Sequence, residues 1–415
     1  MRYYVESYGC TMNQGEGRQL SSRLAQLGHT EVSKAAEAEL VVLNTCTVIE
    51  TTQDRMLRRL RHPDLHGKRI IVTGCMAQVQ PLIVADASPE AMILPPQEYS
   101  EFSRIIADNF GSSAPVMRPK SGITGILPVA QGCKGVCTYC ITKLARGDLH
   151  SYPIDDLVAE FNDLLDNEVK EVLLSAQDTA CYGMDIGTDL PSLLRELLRR
   201  PGDYRIRIGM MNPDRVEPIL SELMEVMQDE RVYKFLHLPL QSASDRILAR
   251  MGRRYTYDGY RKTVDKIRTA FPEITLATDI INGFPGEEEE DHQITMQALR
   301  ELQAETVNVT RFSPRPGTAA ARFPQRLRTS LSKDRSRETT ELRFQVADDC
   351  NARSVGKIFR VMATEKGKNR STITRTDSYR PVIVQGEFSP GTVMSVKVVG
   401  HAPTHLLGEL VSPQS

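Results

Sequence analysis

Three short apolar runs of this chain each lead to a cysteine, and this recurrence constrains the fold more than any other feature of the sequence. RYYVESYGC ends at Cys10, ELVVLNTC at Cys46 and RIIVTGC at Cys75, so the cysteines are 36 and 29 residues apart. Each interval has about the length of a strand-helix-strand unit, and the intervals contain the helix-like segments GRQLSSRLAQLG and TTQDRMLRRLR. Strands joined in this way run parallel.

Parallel strands place their carboxyl ends at one edge of the sheet, which is also where open α/β sheets bind ligands. We therefore expect three thiols to meet at one edge of an N-terminal open parallel α/β sheet. The alternative is three unrelated buried cysteines, because a free cysteine often serves only as a small apolar residue.

The composition is that of a globular protein. The 415 residues are 40 % hydrophobic, which is enough for two or three domains with real cores. No stretch approaches the roughly 20 continuous apolar residues of a membrane span, and MRYYVESYG lacks a signal-peptide pattern, so we expect a cytoplasmic protein with no membrane partner. The eight cysteines are then expected to serve metal or redox chemistry rather than disulfides.

The strongest motif is QGCKGVCTYC, which places Cys133, Cys137 and Cys140 at a C-x3-C-x2-C spacing. Three thiolates on one tight loop can hold three irons of a cubane cluster and leave the fourth iron without a protein ligand. A zinc site with His150 as fourth ligand is the alternative, but this spacing is not usual for zinc and His150 lies ten residues after Cys140.

Helix-like and strand-like segments alternate after the second cysteine triplet and end with the strand-like TVNVTRFSP. This alternation predicts a central parallel (β/α) barrel or partial barrel, with its site in the loops at the strand ends. The polar and glycine residues of these loops are Gln177, Asp178, Gln241, Ser242, Gly283 and Gly286.

The C-x3-C-x2-C loop, with the aromatic Tyr139 just before its third cysteine, resembles that of the radical S-adenosylmethionine superfamily. The resemblance implies that S-adenosylmethionine chelates the open iron and that an electron from the cluster splits its sulfonium. It also implies cofactor contacts from Tyr139 and from the loop residues just named. Gln177 and Asp178 would face the amino-acid part of the cofactor, and the two glycines would let the backbone approach its adenine.

Six segments together, YGCTMNQGE, VVLNTCTV, VTGCMAQ, GCKGVCTYC, ATDIINGFPGE and FSPRPGT, resemble the methylthiotransferases over essentially the full chain. The resemblance implies that the first triplet, Cys10, Cys46 and Cys75, holds an auxiliary 4Fe-4S cluster at which sulfur is handled. The second triplet would hold the 4Fe-4S cluster that cleaves S-adenosylmethionine. Such an enzyme needs a low-potential electron donor and a sulfur source, and the cofactors carry the difficult chemistry.

We expect three domains: residues 1–118 with the auxiliary cluster, residues 119–350 with the radical chemistry, and residues 351–415. The last segment has nine Lys or Arg against four Asp or Glu and the pattern of short strands. It resembles the small all-β TRAM barrel with which methylthiotransferases bind RNA. Its expected phosphate contacts are Lys366, Lys368, Arg370, Arg375 and Arg380, with Tyr379 stacking on a base. A merely solvated surface is the alternative.

GCTMNQGE, GMMNPDRVEPIL and FLHLPLQSASDRILARMGRRY are similar to the archaeal and eukaryotic branch that acts on threonylcarbamoyladenosine in tRNA. The resemblance implies conversion of this nucleoside, at position 37 beside the anticodon, to its 2-methylthio derivative. Arg311 and Arg315 would pair with the threonyl carboxylate, or form structural ion pairs instead. The alternatives are methylthiolation of isopentenyladenosine in tRNA, methylthiolation of a ribosomal-protein aspartate, and an iron-sulfur or zinc protein that binds RNA without altering it.

Overall fold

The computed structural model describes residues 1–48, 50–116 and 122–411. The domain boundary expected between residues 118 and 119 lies outside these described residues.

The strands are β1 (Arg2–Ser7), β2 (Thr30–Glu31), β3 (Leu40–Thr45), β4 (Arg69–Gly74), β5 (Met92–Leu94), β6 (Thr124–Pro128), β7 (Ala130–Gln131), β8 (His150–Ser151), β9 (Glu171–Ser175), β10 (Arg205–Arg207), β11 (Phe235–His237), β12 (Thr275–Asn282), β13 (Thr306–Arg311), β14 (Ile358–Lys366), β15 (Ser371–Thr376), β16 (Pro381–Gln385), β17 (Val393–Ala402) and β18 (His405–Leu410). The α-helices are α1 (Thr11–Gln26), α2 (Glu50–Leu60), α3 (Cys75–Val79), α4 (Pro81–Ala87), α5 (Phe102–Phe110), α6 (Ile141–Arg146), α7 (Ile154–Asp166), α8 (Leu190–Leu197), α9 (Pro213–Val216), α10 (Leu220–Val226), α11 (Asp245–Arg250), α12 (Tyr257–Ala270), α13 (Glu289–Leu302) and α14 (Thr329–Ala352).

The N-terminal strands form a parallel sheet in the order β2-β1-β3-β4-β5. Every residue of β3 is buried, because apolar clusters cover both faces of the sheet. Val41 and Leu43 face one cluster, and Leu40 and Val42 face the other, as the two-residue period of a strand requires. The prediction of parallel strands joined by helices is confirmed.

The central strands form two parallel sheets, β10-β9-β6 and β11-β12-β13, linked by a bridge between Ile206 and Val232. Leu236, Leu276 and Val307 on these strands belong to one large core shared with the surrounding helices. Within the described residues β6 and β13 are not paired, so the barrel is partial. The expected alternation of helices and parallel strands in the central part of the chain is confirmed.

Two helices flank the edges of the partial barrel. Helix α1 of the N-terminal sheet lies against β6, where Arg18 Nη1 donates to the carbonyl oxygen of Thr124 at 2.7 Å. Helix α14 lies against β13, where Arg343 Nη1 donates to the carbonyl oxygen of Val307 at 3.0 Å. The N-terminal sheet is therefore held at one side of the barrel.

The C-terminal strands close into a five-stranded barrel in the order β14-β15-β16-β18-β17, as expected of a TRAM domain. Its β15–β16 turn meets the amino-terminal ends of the central strands, where the Lys234 amide donates to the Asp377 carbonyl oxygen at 2.8 Å. The ring centroid of Tyr379 lies 4.9 Å from that of Tyr233 and 5.2 Å from that of Phe235. The C-terminal barrel therefore closes the end of the partial barrel opposite to its carboxyl-end loops.

No helix in the described part of the chain combines the length and the apolar character needed to cross a membrane.

Candidate metal centres

The first cysteine triplet lies at the carboxyl ends of three parallel strands. Cys46 directly follows β3, Cys75 directly follows β4, and Cys10 lies three residues after β1. Cys46 and Cys75 are buried and Cys10 is exposed, and all three are free thiols. A Cβ atom built on Gly9 would lie 2.5 Å from the Cβ of Cys46, so the backbone before Cys10 rests directly on Cys46. The three cysteines thus follow the carboxyl ends of strands in one parallel sheet.

The surroundings of Cys75 disfavour a bare thiolate. Burial raises the pKa of its thiol to about 12, although the nearby Arg146 guanidinium opposes the shift and Cys46 and Cys10 add to it. Metal ligation requires the thiolate, so a bound cation must supply the stabilising charge. A group of thiols at one sheet edge is the donor set that iron-sulfur clusters use, and the residues present fit such a cluster.

The second triplet occupies the loop between β7 and α6, and Cys140 caps the start of that helix. The loop is fixed from two sides: the Thr138 amide donates to the Met251 carbonyl oxygen at 3.0 Å, and Cys133 Sγ accepts from the Gly135 amide at 3.1 Å. Burial, together with Asp178, Cys140 and Cys137, raises the pKa of the Cys133 thiol to about 11, although the hydrogen bond from the Gly135 amide opposes the shift. The three thiols therefore form a second thiol group suited to an iron-sulfur cluster.

The described residues contain no set of three His, Cys, Asp or Glu side chains gathered closely enough to hold a single metal ion. His150 is exposed in β8, and its ring packs edge-on against Tyr152 at 5.8 Å. Neither observation supports the zinc alternative. In a cubane each cysteine reaches a different iron, so its thiols stand farther apart than those around one ion.

Gln177 and Asp178 support the second triplet from the end of β9. Gln177 Oε1 accepts a hydrogen bond from the Gly132 amide, next to Cys133, at 2.6 Å. Asp178 is buried and accepts from the backbone amide and the side-chain amide of Asn212 at 3.0 and 2.7 Å. Both side chains are thus engaged within the protein, and Gln177 shapes the loop that carries the cysteines.

The other predicted cofactor loops are also packed against the chain itself. Gln241 is buried with a left-handed φ of 70°, and Ser242 Oγ accepts from the Ser244 amide at 3.2 Å. The Gly283 amide donates to Glu287, and a Cβ on Gly286 would lie 2.9 Å from Arg250 Nε. The structure brings these residues to the carboxyl ends of the central strands, and each already has protein neighbours.

Arg253, which sequence reasoning missed, joins Tyr139 to the central strands. Its Nη2 donates to the Tyr139 hydroxyl at 2.6 Å, and its Nη1 donates to Asn212 Oδ1. Tyr139 also packs edge-on against Phe284, with the ring centroids 6.1 Å apart. A small cavity of about 20 Å³ next to these groups is lined by residues that include Cys137, Asn212, Asp214 and Arg253. The paired arginines of MGRRY, directly after helix α11, are the sequence signal for this group.

The two arginines expected to read a carboxylate differ in their surroundings. Arg311 is exposed at the end of β13. Arg315 is buried, and its guanidinium donates to the Val48 carbonyl oxygen at 2.9 Å and to Gln53 Oε1 at 3.3 Å. Arg315 therefore connects the barrel exit to the segment after β3 and to helix α2.

The expected RNA-binding residues fall into two groups. Lys366, Lys368 and Arg370 are exposed at the β14–β15 hairpin. Arg375, Tyr379 and Arg380 lie towards the central barrel instead. Tyr379 packs on its aromatic residues with the Arg375 guanidinium 4.7 Å from the ring centroid, and Arg380 pairs with Glu305 at 3.1 Å. Of the six expected RNA-binding residues, only Lys366, Lys368 and Arg370 lie at the exposed, positively charged tip of this hairpin.

Comparison with known proteins gives two family matches. The description "Uncharacterized protein family UPF0004" matches residues 2–94, and the "Radical SAM superfamily" matches residues 127–299. Each match contains one of the two cysteine triplets.

Curated relatives resemble nearly the full chain. The "Probable threonylcarbamoyladenosine tRNA methylthiotransferase" of Pyrococcus horikoshii is 37 % identical over 99 % of this chain and 100 % of its own length. The protein of the same name from Archaeoglobus fulgidus is 36 % identical over 100 % of both chains. The threonylcarbamoyladenosine tRNA methylthiotransferase of Xenopus laevis is 33 % identical over 96 % of this chain and 75 % of its own.

The fold is also found in solved structures. The radical S-adenosylmethionine methyltransferase TsrM from Kitasatospora setae superposes with a TM-score of 0.57 at 14 % identity, covering 77 % of this chain and 76 % of its own. At this identity the likeness concerns the fold alone.

Proposed function

Because the chain belongs to the threonylcarbamoyladenosine tRNA methylthiotransferase family, we propose that it converts N6-threonylcarbamoyladenosine at position 37 of tRNA to 2-methylthio-N6-threonylcarbamoyladenosine. The observation that carries this proposal is the 33 to 37 % identity to relatives of that name over nearly the whole chain. The enzyme is a radical S-adenosylmethionine transferase, with the radical SAM match spanning residues 127–299.

The proposal assigns one 4Fe-4S cluster to each cysteine triplet. Cys10, Cys46 and Cys75 would hold the auxiliary cluster, and Cys133, Cys137 and Cys140 the cluster that binds S-adenosylmethionine. When bound, the second-triplet cluster would supply the electron for reductive cleavage of S-adenosylmethionine, and the auxiliary cluster would be the place where the sulfur destined for adenine C2 is handled. The position of Cys10, Cys46 and Cys75 after parallel strands and the placement of Cys133, Cys137 and Cys140 on one loop support a cluster at each place.

The chain's own residues orient these groups. Gln177 fixes the Gly132 amide and thereby the second triplet, while Arg253 holds the Tyr139 hydroxyl beside it. Arg315 joins the barrel exit to Val48, two residues after Cys46. The first triplet is thereby placed on the side of the central barrel that carries the second triplet. Closure of the opposite barrel end by Tyr379 leaves the carboxyl-end loops as the entrance for the nucleoside.

The domain limits of residues 1–118, 119–350 and 351–415 are part of the proposal. The exposed cations Lys366, Lys368 and Arg370 would hold tRNA phosphates, and the exposed Arg311 would face the threonyl carboxylate. A low-potential electron donor and a sulfur source come from outside the chain, and we place the reaction in the cytoplasm.

Competition between two tRNA substrates tests the proposed nucleoside. Reconstituted protein, S-adenosylmethionine and a reductant would be incubated with tRNA bearing either threonylcarbamoyladenosine or isopentenyladenosine, and the nucleosides analysed by mass spectrometry. We expect methylthiolation of the threonylcarbamoyl nucleoside. Preference for the isopentenyl nucleoside would refute the substrate assignment and leave the reaction class standing, whereas RNA binding without cofactor cleavage would support the non-enzymatic alternative.

A further inference from the structure

Arg146 is a buried side chain that connects the two cysteine triplets. It is the last residue of α6, a helix of six residues whose cap at the other end is Cys140 of the second triplet. Six helical residues rise by about 9 Å, so this short helix fixes the position of Arg146 relative to Cys140. The Arg146 side chain is 1 % exposed.

Among the described residues, the polar contacts of the Arg146 guanidinium lie on helix α1 and at the start of α3, next to the N-terminal sheet. Nε donates to Cys75 Sγ at 3.2 Å, and Nη2 donates to Asn13 Oδ1 at 2.7 Å. Glu16 accepts from Nη2 at 2.8 Å and also from Nη1, and its side chain is 2 % exposed. One cation therefore joins the second triplet's helix to a sulfur atom of the first triplet.

Stability alone explains this arrangement poorly. A buried ion pair gains little net stability because both charges lose their hydration. A neutral thiol is also a weak acceptor, whereas the sulfur of a cluster-bound thiolate is a much better one. Hydrogen bonds to cluster sulfurs are among the factors that set a cluster's reduction potential, and arginine stays protonated even when buried.

We propose that Arg146 is a positioning residue for the auxiliary cluster: it fixes Cys75 relative to Cys140 and raises the potential at which the auxiliary cluster accepts an electron. This inference rests on the proposed function, because it presupposes a cluster at the first triplet. The N–H···S bond withdraws electron density from the sulfur, which stabilises the reduced cluster. The Glu16 carboxylate acts in the opposite direction by partly neutralising the guanidinium.

A redox titration of the auxiliary cluster, followed by electron paramagnetic resonance, tests the inference. The background is full-length protein with Cys133, Cys137 and Cys140 replaced by alanine, so that only the first triplet binds iron. Glu16→Gln keeps the bond from Arg146 and removes the opposing charge, so the midpoint potential should rise. The double variant Arg146→Met/Glu16→Gln removes the bond without leaving a lone buried charge, so its potential should fall below that of Glu16→Gln and of the background protein.

The buried pair of Arg335 with Glu287 provides a matched control, with side chains 4 and 5 % exposed. Arg335→Met/Glu287→Gln should lower the melting temperature and leave the potential unchanged. Equal potentials in all variants, or an equal shift in the control, would overturn the inference. If the double variant fails to fold, the absence of a rise in Glu16→Gln would still overturn it. A background protein that binds no cluster would instead overturn the proposed function itself.

Discussion

At the scale of single residues, the glycine before Cys133 shows how strictly the backbone around the second triplet is specified. Gly132 has a φ of 80°, and a Cβ there would lie 1.9 Å from the carbonyl oxygen of Asp148. Gly147 has a similar φ of 75°, yet a Cβ there would meet no atom within 4 Å. The two positions share a left-handed conformation and differ in whether a side chain fits.

Alanine substitutions at these two glycines should have different consequences. Gly132→Ala must displace the backbone beside Cys133, so we expect loss of iron from the second triplet and loss of S-adenosylmethionine cleavage. Gly147→Ala should cost only the strain of a positive φ with a ψ of −157°, about 1–3 kcal/mol, and should keep both the iron and the cleavage. Iron content would be measured with the first triplet replaced by alanine, alongside 5′-deoxyadenosine yield. Full iron and full cleavage in Gly132→Ala would show that the loop tolerates a backbone shift.

At the scale of elements, the β14–β15 hairpin presents its cations to solvent because its turn is tight. Asn369 and Arg370 have φ values of 54° and 56°, and the Ser371 amide donates to the Lys368 carbonyl oxygen at 3.1 Å. Two consecutive positive φ values are typical of a type I′ turn, which matches the twist of the flanking strands. The cationic side chains at this tip are consequently available to a phosphate backbone.

Replacing Lys366, Lys368 and Arg370 together by alanine should weaken tRNA binding. Each lost phosphate contact flattens the log-log salt dependence by about 0.7 to 0.9, so the slope should fall by roughly 2 if all three contact phosphate. The same replacement at Arg261, Lys262 and Lys266, exposed on α12, is the matched control and should leave the slope unaltered. Equal slopes for both triple variants would place the tRNA contact elsewhere.

The elements were largely predictable from sequence, and their tertiary partners were not. ELVVLNTC predicted a buried strand before Cys46, because its apolar residues suit a strand covered on both faces. The same pattern contains nothing about Arg146, which lies 100 residues further along the chain and reaches the Cys75 sulfur only through the fold. Tyr379 likewise is an aromatic residue of the type that stacks on bases, yet its ring is packed against Tyr233 and Phe235.

At the scale of the whole molecule, the C-terminal barrel is part of the architecture of the central barrel. Arg380 donates to Glu305, Thr275 and Ser354, and the Arg380 and Glu305 side chains are 11 and 13 % exposed. The Arg207 guanidinium lies 4.6 Å from the ring centroid of Phe235 and 5.0 Å from that of Tyr379. The β15–β16 turn thus fills the amino-terminal end of the partial barrel with paired charges and aromatic rings.

Arg380→Ala should destabilise the whole molecule, because it removes the nearer of two cations beside Glu305, at 3.1 Å, and leaves only Arg268 at 3.9 Å. Losing a hydrogen-bonding partner of a largely buried charge costs about 1–3 kcal/mol. Lys397→Ala, at an exposed position of β17, should change stability by no more than about 0.5 kcal/mol. Thermal unfolding of the two variants would be compared, with hydrogen exchange at the start of β11 and β12 as a local probe. An Arg380→Ala protein as stable and protected as Lys397→Ala would mean that the C-terminal barrel docks only loosely.

The division of work between the two cysteine triplets is the central claim, and one product analysis tests it most directly. Wild-type protein and the two triple alanine variants would each receive tRNA bearing threonylcarbamoyladenosine, S-adenosylmethionine and a reductant, with 5′-deoxyadenosine and nucleosides quantified by mass spectrometry. We predict both products from the wild type, 5′-deoxyadenosine alone from the Cys10/Cys46/Cys75 variant, and neither product from the Cys133/Cys137/Cys140 variant. Formation of 5′-deoxyadenosine by the Cys133/Cys137/Cys140 variant, or of the methylthio nucleoside by the Cys10/Cys46/Cys75 variant, would contradict it.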